Sequence, residues 1–107
     1  MPKTPALDAE FMRAAAGEAV AALKALGNPE RLLLLCQMSQ GEASVGDLEA
    51  LLDIHQPTLS QQLGVLRRER MVATRREGKK VFYRIADPRL LALLRALYKL
   101  YCPKEGA

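Results

Sequence analysis

Apolar residues recur every three or four positions along most of the chain, and the pattern changes to strand-like runs only between Met71 and Ile85. At the start, Asp8 is placed to cap a helix reaching about Leu26, with Leu7, Phe11, Ala15, Ala19, Ala22 and Leu26 along one stripe and Gly27 ending it. Asn28-Pro29 then opens a second helix, Asn as N-cap and Pro at the first position, where its missing N–H costs nothing. Leu32 to Leu35 follow one another in that helix, so it is apolar all round and is predicted to be buried on most sides until it stops near Gly41. Ser44-Val45-Gly46-Asp47 resembles a capping box for a short third helix through Leu52.

After a brief turn from Asp53 to Gln56, Gln56-Pro57 opens a fourth helix running to about Glu69. Leu59, Leu63 and Leu66 point inward at spacings of four and three, leaving Thr58, Ser60, Gln61 and Gln62 on other faces. Two short helices across a tight turn, the second rich in amides and hydroxyls, read as a helix-turn-helix whose second helix suits base edges. Met71 to Arg76 and Lys79 to Ile85 are predicted strands around a Glu77-Gly78 turn. Arg75, Arg76, Lys79 and Lys80 crowd its tip, as a wing laid along a phosphate backbone requires. Asp87-Pro88 caps the last helix, which carries Leu90, Leu91, Leu94, Leu97, Tyr98 and Tyr101. The expected fold is mainly α with a β-hairpin wing, in the order α-α-α-α-β-β-α: a winged helix-turn-helix. Its first and last helices offer more apolar surface than one small core absorbs, which points to a homodimer through them, with a larger monomer core as the alternative.

At 107 residues and 50% apolar, the chain is read as one domain spanning 1–107, with 1–7 expected to be flexible. The N-terminus lacks an apolar signal core and no run reaches the roughly 18 to 20 apolar residues of a membrane span, so a soluble, cytoplasmic protein without a membrane partner is expected. Net charge is +4, and its distribution says more than its sum. The segment 67–84 holds half of the basic side chains against only Glu69 and Glu77, a local patch that suits a polyanion such as double-stranded DNA. No Ser-His-Asp set, paired acids, Gly-rich phosphate loop or C-x-x-C motif appears, so neither an enzyme nor a bound cofactor is expected. A winged helix used only for protein contacts is the rival outside DNA binding. The two cysteines, Cys36 and Cys102, are too few for a disulfide framework, and in a reducing compartment such residues are metal ligands, catalysts, redox sensors or inert core thiols.

LKALGNPERLLLLCQM, SVGDLEALLDIHQPTLSQQLGVLRRERMV and RREGKKVFYRI together resemble the ArsR/SmtB family of winged helix-turn-helix repressors, over about residues 20–102. The resemblance implies a homodimer on an inverted-repeat operator that releases DNA when an inducer binds. It also implies DNA contacts from Gln56, Thr58, Ser60, Gln61 and Gln62 and from the wing residues Arg75, Arg76, Lys79 and Lys80. Two positions depart from the family pattern: Gln62 stands where many relatives have His, and Arg70 where a Gly commonly ends the helix in a left-handed conformation. The family's thiolate metal site is replaced by Ser44-Val45-Gly46, its zinc site on the last helix finds Asp87 but no His, and the one histidine, His55, falls in the turn of the helix-turn-helix, so no metal site is expected. What the family offers instead is the subset typified by BigR, SqrR and YgaV, in which persulfides or polysulfides link two cysteines placed like Cys36 and Cys102, the latter within Tyr101-Cys102-Pro103. The resemblance thus implies a low-molecular-weight persulfide or polysulfide as inducer, with a metal- or peroxide-responsive repressor as the alternative. Neither cysteine lies in a first helical turn, so no helix dipole activates it, and a thiolate at Cys102 is disfavoured by the helix C-terminus, an effect that Arg95, Lys99 or Lys104 is placed to offset.

Overall fold

The computed structural model describes residues 8–102. Leu7, the expected flexibility of 1–7, and Pro103 and Lys104 therefore lie outside the described residues. Five helices and three strands follow in the order α1 (Ala9–Leu26), α2 (Pro29–Met38), β1 (Ala43–Ser44), α3 (Val45–Leu52), α4 (Thr58–Arg68), β2 (Val72–Glu77), β3 (Lys80–Ile85) and α5 (Pro88–Tyr101). Local chemistry sets most of the boundaries. Asp8, Asn28 and Asp87 accept from backbone N–H groups of α1, α2 and α5, and Ser44 and Asp47 exchange the reciprocal bonds of a capping box at α3.

The fourth helix starts slightly later than its sequence suggests. Pro57 is the N-cap and makes no side-chain cap, whereas the Gln56 Oε1 accepts from the Ser60 N–H at 3.0 Å and the Ser60 hydroxyl at 2.6 Å. In the wing the turn moves on by one residue: Glu77 still pairs with Lys80, and Gly78-Lys79 forms the loop, with Gly78 at φ 62. Arg70 adopts φ 59, so the chain enters the wing through the left-handed conformation usual for Gly, and the Arg carries that conformational cost.

One element has no counterpart among the predicted ones. Ala43 and Ser44 form β1, antiparallel to β3 with Ala43 opposite Tyr83 and Ser44 opposite Phe82, which makes a three-stranded sheet in the order β1-β3-β2. Two residues carry no periodicity, so the strand is defined entirely by its distant partner. It binds the wing to the segment that leads into α3.

Leu34, Leu35, Leu48, Leu59, Leu66 and Leu94 are fully buried where α2, α3, α4 and α5 meet. Expected burial of α2 on most sides fails at Leu33, which is 49% exposed because that face has no neighbour in the single chain. Replacing Leu48 by Ala should cost about 2–5 kcal/mol through lost transfer energy and the cavity left behind, measured as a lower urea midpoint at fixed protein concentration. Outside this core, α1 and α5 keep their apolar faces in solvent. Phe11 is 74% exposed, Leu100 75% and Tyr101 80%, so the monomer core does not absorb them. No described helix is long and apolar enough to cross a membrane.

Candidate nucleic-acid interface and thiol pair

Helix α4 buries Leu59, Leu63 and Leu66 and turns Ser60 and Gln61 outward, with Thr58 and Gln62 half-buried at the margins. Gln56 stands just ahead of it, its oxygen taken by Ser60 and its amide hydrogens left for other partners. Gln62 is held from behind. Its Oε1 accepts from Arg31 Nη1 at 3.0 Å, while Arg31 Nε and Nη2 donate to the carbonyl oxygens of Ala25 and Lys24 at 3.0 and 3.2 Å. Sequence reasoning missed Arg31, although a signal existed: an arginine in the first turn of α2, where acids are favoured, must be serving something other than that helix.

The wing divides its basic residues into two groups. Arg76, Lys79 and Lys80 are exposed at its tip. Arg75 is instead clamped: its Nε lies 2.8 Å from both oxygens of Glu42, its Nη2 2.6 Å from Glu42 Oε1, its Nη1 2.8 Å from Glu77 Oε2, and its guanidinium sits 4.4 Å over the Phe82 ring. The same bonds hold the Glu42 carboxyl below the usual carboxylate range and raise Arg75 further. Arg75 therefore acts first as a strut between β2 and the residue preceding β1. Arg67 and Arg68, exposed in the last turn of α4, face its partly negative end and extend the positive surface.

Behind the reading head, Cys36 is half-buried on α2 and Cys102 is exposed as the residue that caps α5, its N–H bonded to the Tyr98 carbonyl at 3.0 Å. Both thiols are free. Burial pushes the Cys36 thiol up, and the charge at Cys102 adds to the rise. Helix α2 packs against α5, the helix that Cys102 ends. Among the described residues no group of three or more His, Cys, Asp and Glu is placed to hold a metal ion. His55 is exposed in the turn, with Nε2 2.6 Å from Asp53 Oδ1 and Nδ1 3.8 Å from Glu49 Oε2.

A helix-turn-helix with an amide- and hydroxyl-bearing second helix, followed by a basic hairpin, defines a winged helix-turn-helix protein. The chain belongs to the arsR family of bacterial regulatory proteins, whose family model matches residues 28–74. It is 54% identical over 94 residues, 88% of this chain and 80% of the relative, to the biofilm growth-associated repressor of Agrobacterium fabrum. The crystal structure of the transcriptional repressor BigR from Xylella fastidiosa superposes with a TM-score of 0.82 at 46% identity, covering 92% of this chain and all of that one. Reduced HlyU from Vibrio cholerae gives a TM-score of 0.83 at 39% identity, over 88% and 99% of the two chains. The protein is accordingly a DNA-binding transcriptional regulator and not an enzyme.

Proposed function

We propose that this protein is a homodimeric repressor that binds an inverted-repeat operator and is released from it when a polysulfide bridges Cys36 and Cys102. The observation that carries the proposal is the packing of α2, which bears Cys36, against α5, which ends at Cys102, with both thiols free. The uncovered apolar faces of α1 and α5 supply the surface on which two copies pair. In the dimer, the α4 helices enter successive major grooves about 34–36 Å apart, with Gln56, Thr58, Ser60, Gln61 and Gln62 at the bases and neighbouring phosphates. Arg76, Lys79 and Lys80 contact the backbone, and Arg75 holds the wing in position for them.

The sulfur chemistry needs two thiolate attacks. The thiolate of exposed Cys102 attacks the central sulfur of a three-sulfur chain, releasing one terminal sulfur as thiolate or hydrosulfide and leaving the other two on Cys102. The Cys36 thiolate then attacks the sulfur next to Cys102 Sγ and displaces the remaining terminal group in the same form. The product is a Cys102–S–Cys36 trisulfide, and the two electrons removed from the protein thiolates leave one with each displaced terminal sulfur. The inserted atom lengthens the bridge beyond a disulfide, which requires Cα atoms roughly 4.4–6.8 Å apart. Peroxide, which inserts no sulfur, closes only the shorter bridge.

Because Cys36 must be a thiolate for the second step and its pKa is raised, bridging should accelerate with pH and keep accelerating past the ordinary thiol value of about 8.5. Timed alkylation followed by mass spectrometry reads that profile. A plateau at or below the pH of a free cysteine peptide would contradict the burial of Cys36.

DNA binding itself is tested by fluorescence anisotropy with inverted repeats from the promoter region against scrambled duplexes. Preference for the repeat, with affinity falling steeply as salt rises, supports the proposal. Equal, weak binding to both would favour the winged helix as a protein-interaction module.

A further inference from the structure

We propose that Arg31 sets the base preference of the recognition helix by holding the amide oxygen of Gln62, so that Gln62 offers only N–H donors to DNA. The inference rests on the reading of α4 as the helix that enters the major groove. One guanidinium joins three helices here. Arg31 belongs to the first turn of α2, where its N–H donates to Asn28 Oδ1 at 3.0 Å; its Nε and Nη2 take the Ala25 and Lys24 carbonyls at the end of α1; and its Nη1 reaches Gln62 on α4. The two carbonyls belong to the last turn of α1, where the Lys24 oxygen also accepts the Gly27 N–H at 3.2 Å and the i+4 ladder has ended. They anchor the guanidinium, so the arginine is not free to follow Gln62 toward a base.

The orientation of the amide follows from valence. A guanidinium has five donors and no acceptor, so the Gln62 atom facing it is the oxygen, and an amide flip would set two donors against each other. Glutamine reads adenine by using its oxygen for the N6 hydrogens and its nitrogen for N7 at the same time. With the oxygen turned back to Arg31, only the NH2 group is presented. That group matches O6 and N7 of guanine or O4 of thymine, whereas at adenine it meets only N7 and leaves the N6 hydrogens without an acceptor. Arg31 is a positioning residue, acting through Gln62 and not by touching DNA.

The test measures binding to a set of operators in which each base pair of the half-site is changed in turn. For the wild type, one position should favour guanine or thymine over adenine by roughly five- to tenfold, the scale of a single base contact. Arg31→Ala should reduce that preference to within about twofold while leaving those at other positions unchanged, because the freed oxygen lets Gln62 read adenine in both directions. Gln62→Glu keeps a stronger, charge-assisted bond to Arg31 and replaces the donors by an acceptor, so it should shift the preference toward cytosine or adenine at the same position. This variant also carries the test should Arg31→Ala lower the melting temperature too far for binding measurements. An Arg31→Ala protein that weakens every operator alike, or a Gln62→Glu protein with the wild-type preference, would overturn the inference alone. A wild type that does not separate operator from scrambled duplex would overturn the reading of α4 and the inference with it.

Discussion

Replacing Arg76, Lys79 and Lys80 together by Ala should reduce operator affinity by about a hundredfold for each wing at physiological salt. Each neutralised phosphate releases a condensed counterion worth roughly fivefold in affinity under those conditions, and three such residues stand exposed at the tip. The same replacement should lower the slope of log affinity against log salt by about 0.9 for each phosphate left without its cation. Arg75→Ala provides the contrast. Its guanidinium is already engaged by Glu42 and Glu77 and packed on Phe82, so its loss should loosen the wing and weaken binding with little change in salt slope. An unchanged slope in the triple variant would mean that the wing tip does not lie on phosphates.

Cys102→Ser should bind operator as tightly as the wild type and fail to release it in polysulfide. Serine preserves the size and hydrogen bonding of this exposed position, and the helix cap at Cys102 uses only its backbone N–H, so neither fold nor DNA surface changes. What disappears is the nucleophile that receives the first sulfur. Wild-type protein should lose affinity by several-fold to about a hundredfold on bridging, the range of a coupling free energy of about 1–3 kcal/mol. The coupling has a structural route: a bridge fixes α2, which packs on α4, against α5, whose uncovered outer face forms part of the proposed dimer surface, and so would bias the distance between the two reading heads. Release of the Cys102→Ser protein by polysulfide at the wild-type concentration would remove the cysteine pair from the switch.

Features governed by neighbours in sequence were legible before the structure. Asp8, Asn28, Asp87 and the Ser44–Asp47 box cap helices through bonds spanning two or three residues, and Gly78 turns the hairpin through its own backbone. Features depending on distant partners were not. β1 exists only because Ala43 and Ser44 lie beside Tyr83 and Phe82, and Arg75 reads as another tip residue unless Glu42 is known to lie beside it. Arg31 likewise gains its role from Lys24, Ala25 and Gln62, partners on two other helices. At Arg70 the family pattern identified the backbone need, a left-handed residue, and the structure meets it without glycine. The thiol pair lies between these extremes. Neither spacing nor periodicity brings Cys36 toward Cys102; the resemblance suggested the pair, and the structure adds that the two helices bearing them pack together.

The central claim is tested most directly by the operator dissociation constant of one preparation before and after intramolecular bridging. Protein carrying the trisulfide is recognised by the gain of one sulfur and loss of two hydrogens in its intact mass, and is measured at the same salt as the reduced form. The account predicts a several-fold to hundredfold weaker affinity that dithiothreitol restores. Bridged protein that binds the operator as tightly as the reduced protein would contradict it.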